Sequence, residues 1–480
     1  MPNARRQNLP FVSKMTQDLA DATGGELVRM FRSSKASPVE ATQAVLHRIE
    51  RLNPRYNAFC LIDPERALAS ARQSEIRWSR TEPLSDIDGV PTTIKDLILT
   101  KDWPTLRGSR TVDRAQQWDE DAPATARLRE AGAVIIGKTT TPEFGWKGVC
   151  DSPLTGITRN PWNSEMTCGG SSGGAAVAAA FRMGCLHLGT DGGGSIRIPA
   201  GFSGTFGFKP TFGQVPAYPL SPFGTIAHLC PLTADVADAA RMLTVMSRPD
   251  QRDWYALPDM QRDFSARLDA GVAGLRIALS VTLGYANVDA EIGKLVGRAA
   301  QALADVGAIV ELRDPGFSSP FDAFKAHWYS GAAHLLRSIS AEKRRYLDPG
   351  LSVIADEGER IPHMDYIAAT NERAALGHHM NVFHTSYDVL LTPTLPIPAF
   401  EVNRIAPKGT DQSNWMHWTP FSYPFNLTQQ PAASIPCGFT ASGLPVGLQI
   451  VAAKYRDDLV LRVARAYETL NPIKTPRNPA

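Results

Sequence analysis

No long apolar run interrupts the sequence: its most hydrophobic stretch, residues 175–181, stops at Arg182, far short of the about 18 residues a membrane-spanning helix needs. Cysteine is scarce as well. The six thiols, Cys60, Cys150, Cys168, Cys185, Cys230 and Cys437, form no CxxC pair and no repeated spacing with histidine. That excludes a disulfide scaffold and leaves no readable zinc or redox motif; reduced cysteines of a cytoplasmic protein are expected. Charge of one sign is missing too, because 50 Lys and Arg face 48 Asp and Glu, for a net +2 without blocks. Nothing in that balance calls for nucleic acid or an anionic membrane as partner. At the start of the chain Arg5 and Arg6 precede a mixed stretch rather than an apolar one, so a secretory signal is not expected. What remains is a chain with 43% hydrophobic and 20% charged residues, a globular composition.

Ser37-Pro38-Val39-Glu40 matches a capping box with proline at the first helical position, and Val45, Ile49 and Leu52 follow at helical spacing up to Asn53-Pro54. Helices are therefore expected from about residue 13 to residue 80. They suggest an N-terminal helical region, 1–80, packed on a catalytic domain, 81–480, within one structural domain. After Gly89 the texture alternates. Val90 to Leu99 reads as buried strand, residues 122–131 as helix and residues 133–136 as strand. The same alternation returns at 275–279, 288–306 and 308–312. The expected fold class is α/β, a central mixed β-sheet covered by helices on both faces.

One segment departs from the average. Residues 169–213 hold 13 glycines where the overall frequency predicts between three and four, and between Asn160 and Ala234 only Glu165, Arg182, Asp191, Arg197 and Lys209 are charged. So apolar a stretch belongs inside, as backbone packed around a site, since glycine lets main-chain N–H groups approach a ligand. Neither Gly169-Gly170-Ser171-Ser172-Gly173-Gly174 nor Gly189-Thr190-Asp191-Gly192-Gly193-Gly194 fits a phosphate-binding pattern. Each instead holds a serine among or beside glycines, Ser171 and Ser195, which suits nucleophilic attack with main-chain donors for an oxyanion.

A serine hydroxyl needs a base. None of the ten histidines lies in either loop, and His187 and His228, in apolar surroundings, read as core residues. Lys95 is the other candidate. It sits in the nearly uncharged run Val90 to Leu99, and burial favours the neutral amine that accepts a proton. Its plainer reading is an edge-strand lysine pointing to water. Asp191 and Arg197 flank Ser195 and, as buried charges, are expected to pair and tie the loop together. Ser172 and Thr190 are read as backbone anchors and Lys209 as structural.

Taken in order, Lys95-Asp96, Gly169 to Gly174, Gly189 to Ala200, Gly207-Phe208-Lys209-Pro210-Thr211, Tyr387 to Thr394 and Gly443 to Gln449 resemble the amidase signature family of Ser-Ser-Lys hydrolases. The blocks span most of the chain, and the separation of Ser171 from Ser195 matches the family spacing. The resemblance implies Ser195 as acyl-forming nucleophile, Ser171 as bridging serine after a cis peptide at Gly170–Ser171, and Lys95 as ultimate base. It implies an oxyanion hole from the N–H groups of Gly192, Gly193, Gly194 and Ser195, with no metal and no cofactor. The partner would be a small-molecule amide, with apolar or aryl groups, and esters, anilides or carbamates are chemically adjacent. Family members often form homodimers, an association the resemblance allows.

Two positions depart from the family pattern. Leu97 stands where many members have Asn after Lys-Asp, and Thr140 where an Asn is common after Lys138. RNA-linked amidotransferase subunits usually keep both, which weighs against an ammonia-releasing role in a tRNA-dependent complex. Residues 317–384 fall where members diverge; Phe317, Phe321, Phe324, Trp328 and Tyr329 read as a buried helical face before a substrate pocket. A further alternative is an α/β-hydrolase-type esterase, with Ser171 on a G-x-S-x-G elbow and Asp388 and His417 following in order. Against it, residues 161–168 are polar and turn-like rather than a strand leading into the elbow.

Overall fold

The computed structural model describes residues 19–476. Its strands are β1 Phe59–Ile62, β2 Pro91–Lys95, β3 Val134–Thr139, β4 Asp151–Ser152, β5 Gly156–Ile157, β6 Leu186–Asp191 and β7 Phe206–Lys209. They continue with β8 His228–Thr233, β9 Arg276–Leu279, β10 Ile309–Leu312, β11 Val389–Pro393, β12 Ala432–Phe439 and β13 Pro445–Ala452. Among the described residues, eleven of these form one sheet in the order β1-β3-β2-β6-β8-β7-β12-β13-β11-β9-β10, and β4 with β5 makes a separate hairpin. The sheet is mixed, as expected. β2 runs parallel to β3 and β6, and β9 parallel to β10 and β11, while the other pairings are antiparallel. Helices flank it, so the α/β expectation holds, with elements within a few residues of those read from periodicity. No helix among the described residues is long and apolar enough to cross a membrane.

The capping box forms as the sequence implies, Glu40 N donating to Ser37 Oγ at 3.2 Å and Ser37 N to the Glu40 carboxylate at 2.8 Å. Its helix, Pro38–Tyr56, does not stop at Asn53-Pro54 but runs on to Asn57, which takes the left-handed conformation at φ 52°. Proline this close to a C-terminus removes little of the hydrogen-bond ladder, and the left-handed Asn does the terminating. The portion of the expected N-terminal helices on residues 13–18 lies outside the described residues.

Burial around the middle of the sheet is complete. All of β2, Pro-Thr-Thr-Ile-Lys, and all of helix Gly173–Ala180 are buried. Small residues make the second possible: a Cβ on Gly174 would stand 2.4 Å from Ala58 O and from Thr140 Oγ1. An aromatic-rich cluster including Phe324, Trp328, Trp415, Trp418 and Phe421 forms a second buried core. Because β2 and β6 are parallel neighbours, Lys95 and Asp191 emerge side by side at carboxyl ends of strands, the usual edge for a site in such sheets.

Candidate active site

Lys95, the last residue of β2, is fully buried, and its Nζ lies 2.7 Å from Ser171 Oγ, 2.9 Å from Ser172 Oγ and 2.9 Å from Thr190 Oγ1. The edge-strand alternative is thereby removed. Burial lowers the amine's pKa from 10.5 to about 7, with Cys150, Asp191 and Cys230 pulling more weakly the other way. Proton accounting then sorts the three hydroxyls. Ser172 Oγ donates to Thr190 O at 3.1 Å and accepts from Thr190 N at 3.2 Å, so toward Lys95 it accepts. A neutral amine offers two N–H groups and one lone pair, which leaves Ser171 and Thr190 as hydroxyls able to donate to that lone pair, Ser171 being the nearer.

Ser171 and Ser172 precede helix Gly173–Ala180, and the Gly170–Ser171 peptide is cis, as the resemblance implied. Ser195 stands on the loop after β6; its carbonyl accepts from Ser172 N at 3.0 Å, which joins the two serine loops. Ser195 itself is 4% exposed, and among the described residues no hydrogen bond links its Oγ to Ser171 or to any other group. Lys95 and Ser171 are thus brought into contact, whereas the Ser195 hydroxyl is not hydrogen-bonded to either.

The buried pair expected between Asp191 and Arg197 is present and more extensive than the sequence indicated. Arg197 Nε and Nη2 both donate to the Asp191 carboxylate at 2.9 Å, and the other donors reach Ser422 O, Gln449 Oε1 and Asn426 Oδ1. All five guanidinium N–H groups are used. Burial works against ionised Asp191, but Arg197, Lys209 and Asn426 outweigh it and hold the carboxyl below its ordinary pKa. That carboxylate also accepts from Gly194 N at 2.8 Å and Ile196 N at 3.3 Å. Here the structure differs from expectation: with its N–H turned inward to Asp191, Gly194 has none to offer an oxyanion. The N–H groups of Gly192, Gly193 and Ser195 meet no acceptor among the described residues.

The reason for the glycines also differs. An added Cβ would face the protein interior rather than the substrate side: at Gly192 it would stand 3.0 Å from Trp328, at Gly193 2.6 Å from Phe324 and 2.9 Å from Trp415, and at Gly194 2.5 Å from Ser422 Oγ. The loop lies flat on an aromatic floor, pinned where Ser422 Oγ donates to Gly193 O at 2.6 Å. Phe324, Trp328 and Tyr329 therefore belong to the buried helical face the sequence suggested, with Phe317 and Phe321 only partly buried. Ser422 and Asn426 carried no recognisable sequence signal; Gln449 ended a motif but gave no hint of its partner.

The histidine alternatives do not assemble. His417 is exposed and stacks on Phe321 at 4.6 Å, while the Asp388 carboxylate accepts from Arg276 N at 2.9 Å. Neither meets Ser171. His187 is buried against Thr93, and burial pulls its pKa down to about 3. His228 hydrogen-bonds Ile226 O at 2.9 Å. Lys209 is buried and bonds Gln430 O, in keeping with a structural role.

A cleft leads to Thr190, walled by Leu97, Leu99, Phe144, Phe212 and Leu335 among others. Of the 317–384 stretch only Leu335 lines it. Among the described residues no three His, Cys, Asp or Glu side chains converge as a metal site would require.

A sealed lysine amine on a serine hydroxyl, a second serine on a glycine loop, and a cleft reaching Thr190 beside that amine point to a hydrolase of the acyl-transfer class. The comparisons specify it. The Amidase family model matches residues 40–461. An acylamidase of Rhodococcus erythropolis is 35% identical over 95% of this chain and 97% of its own length. A glutamyl-tRNA(Gln) amidotransferase subunit of Myxococcus xanthus is 34% identical over 94% and 97%. The crystal structure of a bacterial aryl acylamidase of the amidase signature enzymes superposes with a TM-score of 0.87 at 30% identity, covering 94% of this chain and 96% of that one. The chain belongs to the amidase signature family, and it is an amide-cleaving hydrolase.

Proposed function

We propose that the chain hydrolyses a small carboxylic amide with apolar or aryl groups through an acyl-enzyme on Ser195. Neutral Lys95 takes a proton from Ser171 as Ser171 takes one from Ser195, and Ser195 Oγ attacks the carbonyl carbon. The joining of the two serine loops, where Ser172 N donates to Ser195 O at 3.0 Å, supports this; catalytic hydrogen bonds often close only around substrate. The oxyanion is received by the N–H groups of Gly192, Gly193 and Ser195, with Gly194 excluded because Asp191 engages it. Ser172, Thr190, Asp191 and Arg197 hold the frame. Retracing the relay protonates the leaving amine, and water then attacks the acyl-enzyme. No cofactor takes part. The observation that carries this reading is the fully buried Lys95 amine 2.7 Å from Ser171 Oγ.

The same acyl-enzyme serves anilides, esters and carbamates. A cytoplasmic setting is supported by six cysteines that are all free thiols. One domain, with the described residues 19–80, helical apart from β1, as a layer on those that follow, is supported by Gly25 N donating to Asp238 across the two parts at 3.0 Å. A fluorophosphonate label followed by peptide mapping tests the assignment. Modification of Ser195, abolished in Ser195→Ala and slowed in Lys95→Ala, is expected; labelling elsewhere would falsify it. The amidotransferase role remains the second reading, on the strength of the 34% identity. Turnover of a small anilide by the isolated chain without ATP decides against it.

A further inference from the structure

The cleft carries a cation that the hydrolytic machinery does not use. Arg107 stands in its wall among Leu97, Leu99 and Phe144, and its guanidinium makes no hydrogen bond or ion pair with any described residue. The nearby carboxylate of Asp96 is already committed: Lys138 Nζ lies 3.4 Å away, and Leu106 N and Gly108 N donate to it at 3.2 and 3.3 Å. Asp253, which also borders the cleft, accepts from Ala217 N and Tyr255 N at 2.8 Å each and does not reach Arg107. Burial lowers the pKa of Arg107, with Asp96 pulling the other way. Arg107 is part-buried, and a guanidinium partly removed from water without an anion is under-compensated; the cleft is where an anion would meet it.

The backbone beneath Arg107 is fixed rather than loose. Arg107 has φ 58° and Gly108 φ 63°, and the left-handed region is strained for a residue with a Cβ. The loop is held in it from several sides. Phe144 N donates to Arg107 O at 2.8 Å, Ser109 Oγ donates to Glu143 Oε1 at 2.5 Å, and a Cβ on Gly108 would stand 2.7 Å from Thr141 O. A strained residue, over-determined by its surroundings and presenting an unused cation to a cleft, has the character of a ligand-binding position.

We propose that Arg107 recognises the substrate, and that the physiological amide carries a carboxylate joined to the scissile group through an apolar or aryl spacer. The inference rests on the amide-hydrolase reading and deepens it by naming the substrate class. Leu97, Leu99 and Phe144 pack against the spacer, and Arg107 binds the carboxylate through paired N–H donors. The acid can sit on either side of the scissile bond.

Acetanilide is the neutral probe, 4-acetamidobenzoate carries the acid on the amine side, and succinanilate carries it on the acyl side. The wild-type chain is expected to hydrolyse one of the two acids with kcat/KM at least about tenfold above acetanilide, mainly through KM, as charge-assisted pairing supports. Arg107→Met removes that preference and leaves acetanilide within about twofold; Arg107→Lys restores part of it, a pattern a merely structural arginine would not give. No preference for either acid, or an equal loss on charged and neutral anilides in Arg107→Met, overturns the inference. If none of the three is turned over, the hydrolase reading is at fault, and calorimetric binding of benzoate against benzamide decides the Arg107 question alone. Benzoate bound about tenfold tighter by the wild type than by Arg107→Met upholds it, and equal binding overturns it.

Discussion

Replacing Gly193 by alanine probes the floor of the site with a single methyl group. The added Cβ would stand 2.6 Å from Phe324 Cζ and 2.9 Å from Trp415 Cη2, short of the 3.4 Å at which ordinary contact begins by 0.8 and 0.5 Å. Phe324 cannot yield, because it is fully buried, stacked on Tyr423 at 4.8 Å and set edge-on to Trp415 at 6.2 Å. The loop must lift instead, which strains the 2.6 Å bond from Ser422 Oγ to Gly193 O and moves the Gly193 and Ser195 N–H groups. Overpacking of this kind costs about 1–3 kcal/mol of stability. Displacing one oxyanion donor costs about 10²–10³ in kcat. Steady-state kinetics on an anilide, with denaturant unfolding alongside, would measure both. The informative arm is the double variant Gly193→Ala with Phe324→Leu, in which the smaller side chain opens room for the methyl and lets Trp415 shift. It is expected to regain about tenfold or more of the lost kcat, although Phe324→Leu alone does nothing for the wild type. Were Gly193→Ala to retain kcat within threefold, or the double variant to recover nothing, the loop would not be seated on its aromatic floor as described.

The remaining predictions concern charge. Asp191→Asn leaves the fully buried Arg197 guanidinium without its anion, so stability is expected to fall by about 3–5 kcal/mol in urea unfolding; Asp191→Asn with Arg197→Met should lose less, and an equal loss would mean the ion pair is not the relevant interaction. Activity should rise with pH: Lys95 is lowered to about 7, so its neutral fraction, and with it kcat/KM, falls about tenfold per unit below that value. Burial keeps His187 neutral down to about 3, which removes it as the source of an inflection near 7, a value to which buried Lys209 and Cys150 are also brought; a profile flat between about pH 5 and 8 would refute the lysine as base.

Much of this site could be read from the chain because its features are local. The glycine excess, the scarcity of charge between Asn160 and Ala234, and a lysine in a run of strand residues each state a burial requirement within a few positions, and βαβ periodicity carries the sheet. What escaped is long-range. Asn426, Ser422 and Gln449 hold Arg197 and the glycine loop from more than 200 residues away, and no spacing rule joins such positions. The fate of the Gly194 N–H illustrates the gap best. Four successive N–H groups on a glycine loop look interchangeable in sequence, yet an aspartate three residues earlier turns one of them inward. That same bond ties the loop to the Asp191–Arg197 pair, so the group lost to the oxyanion is what orients its neighbours. Likewise Arg107 is unremarkable among 50 basic residues; only the structure reveals that the neighbouring Asp96 carboxylate is already engaged by Lys138, Leu106 N and Gly108 N. Local pattern thus announces that a catalytic loop exists, while the choice of which donors face substrate, and which cation waits for it, is made by partners that only folding brings near.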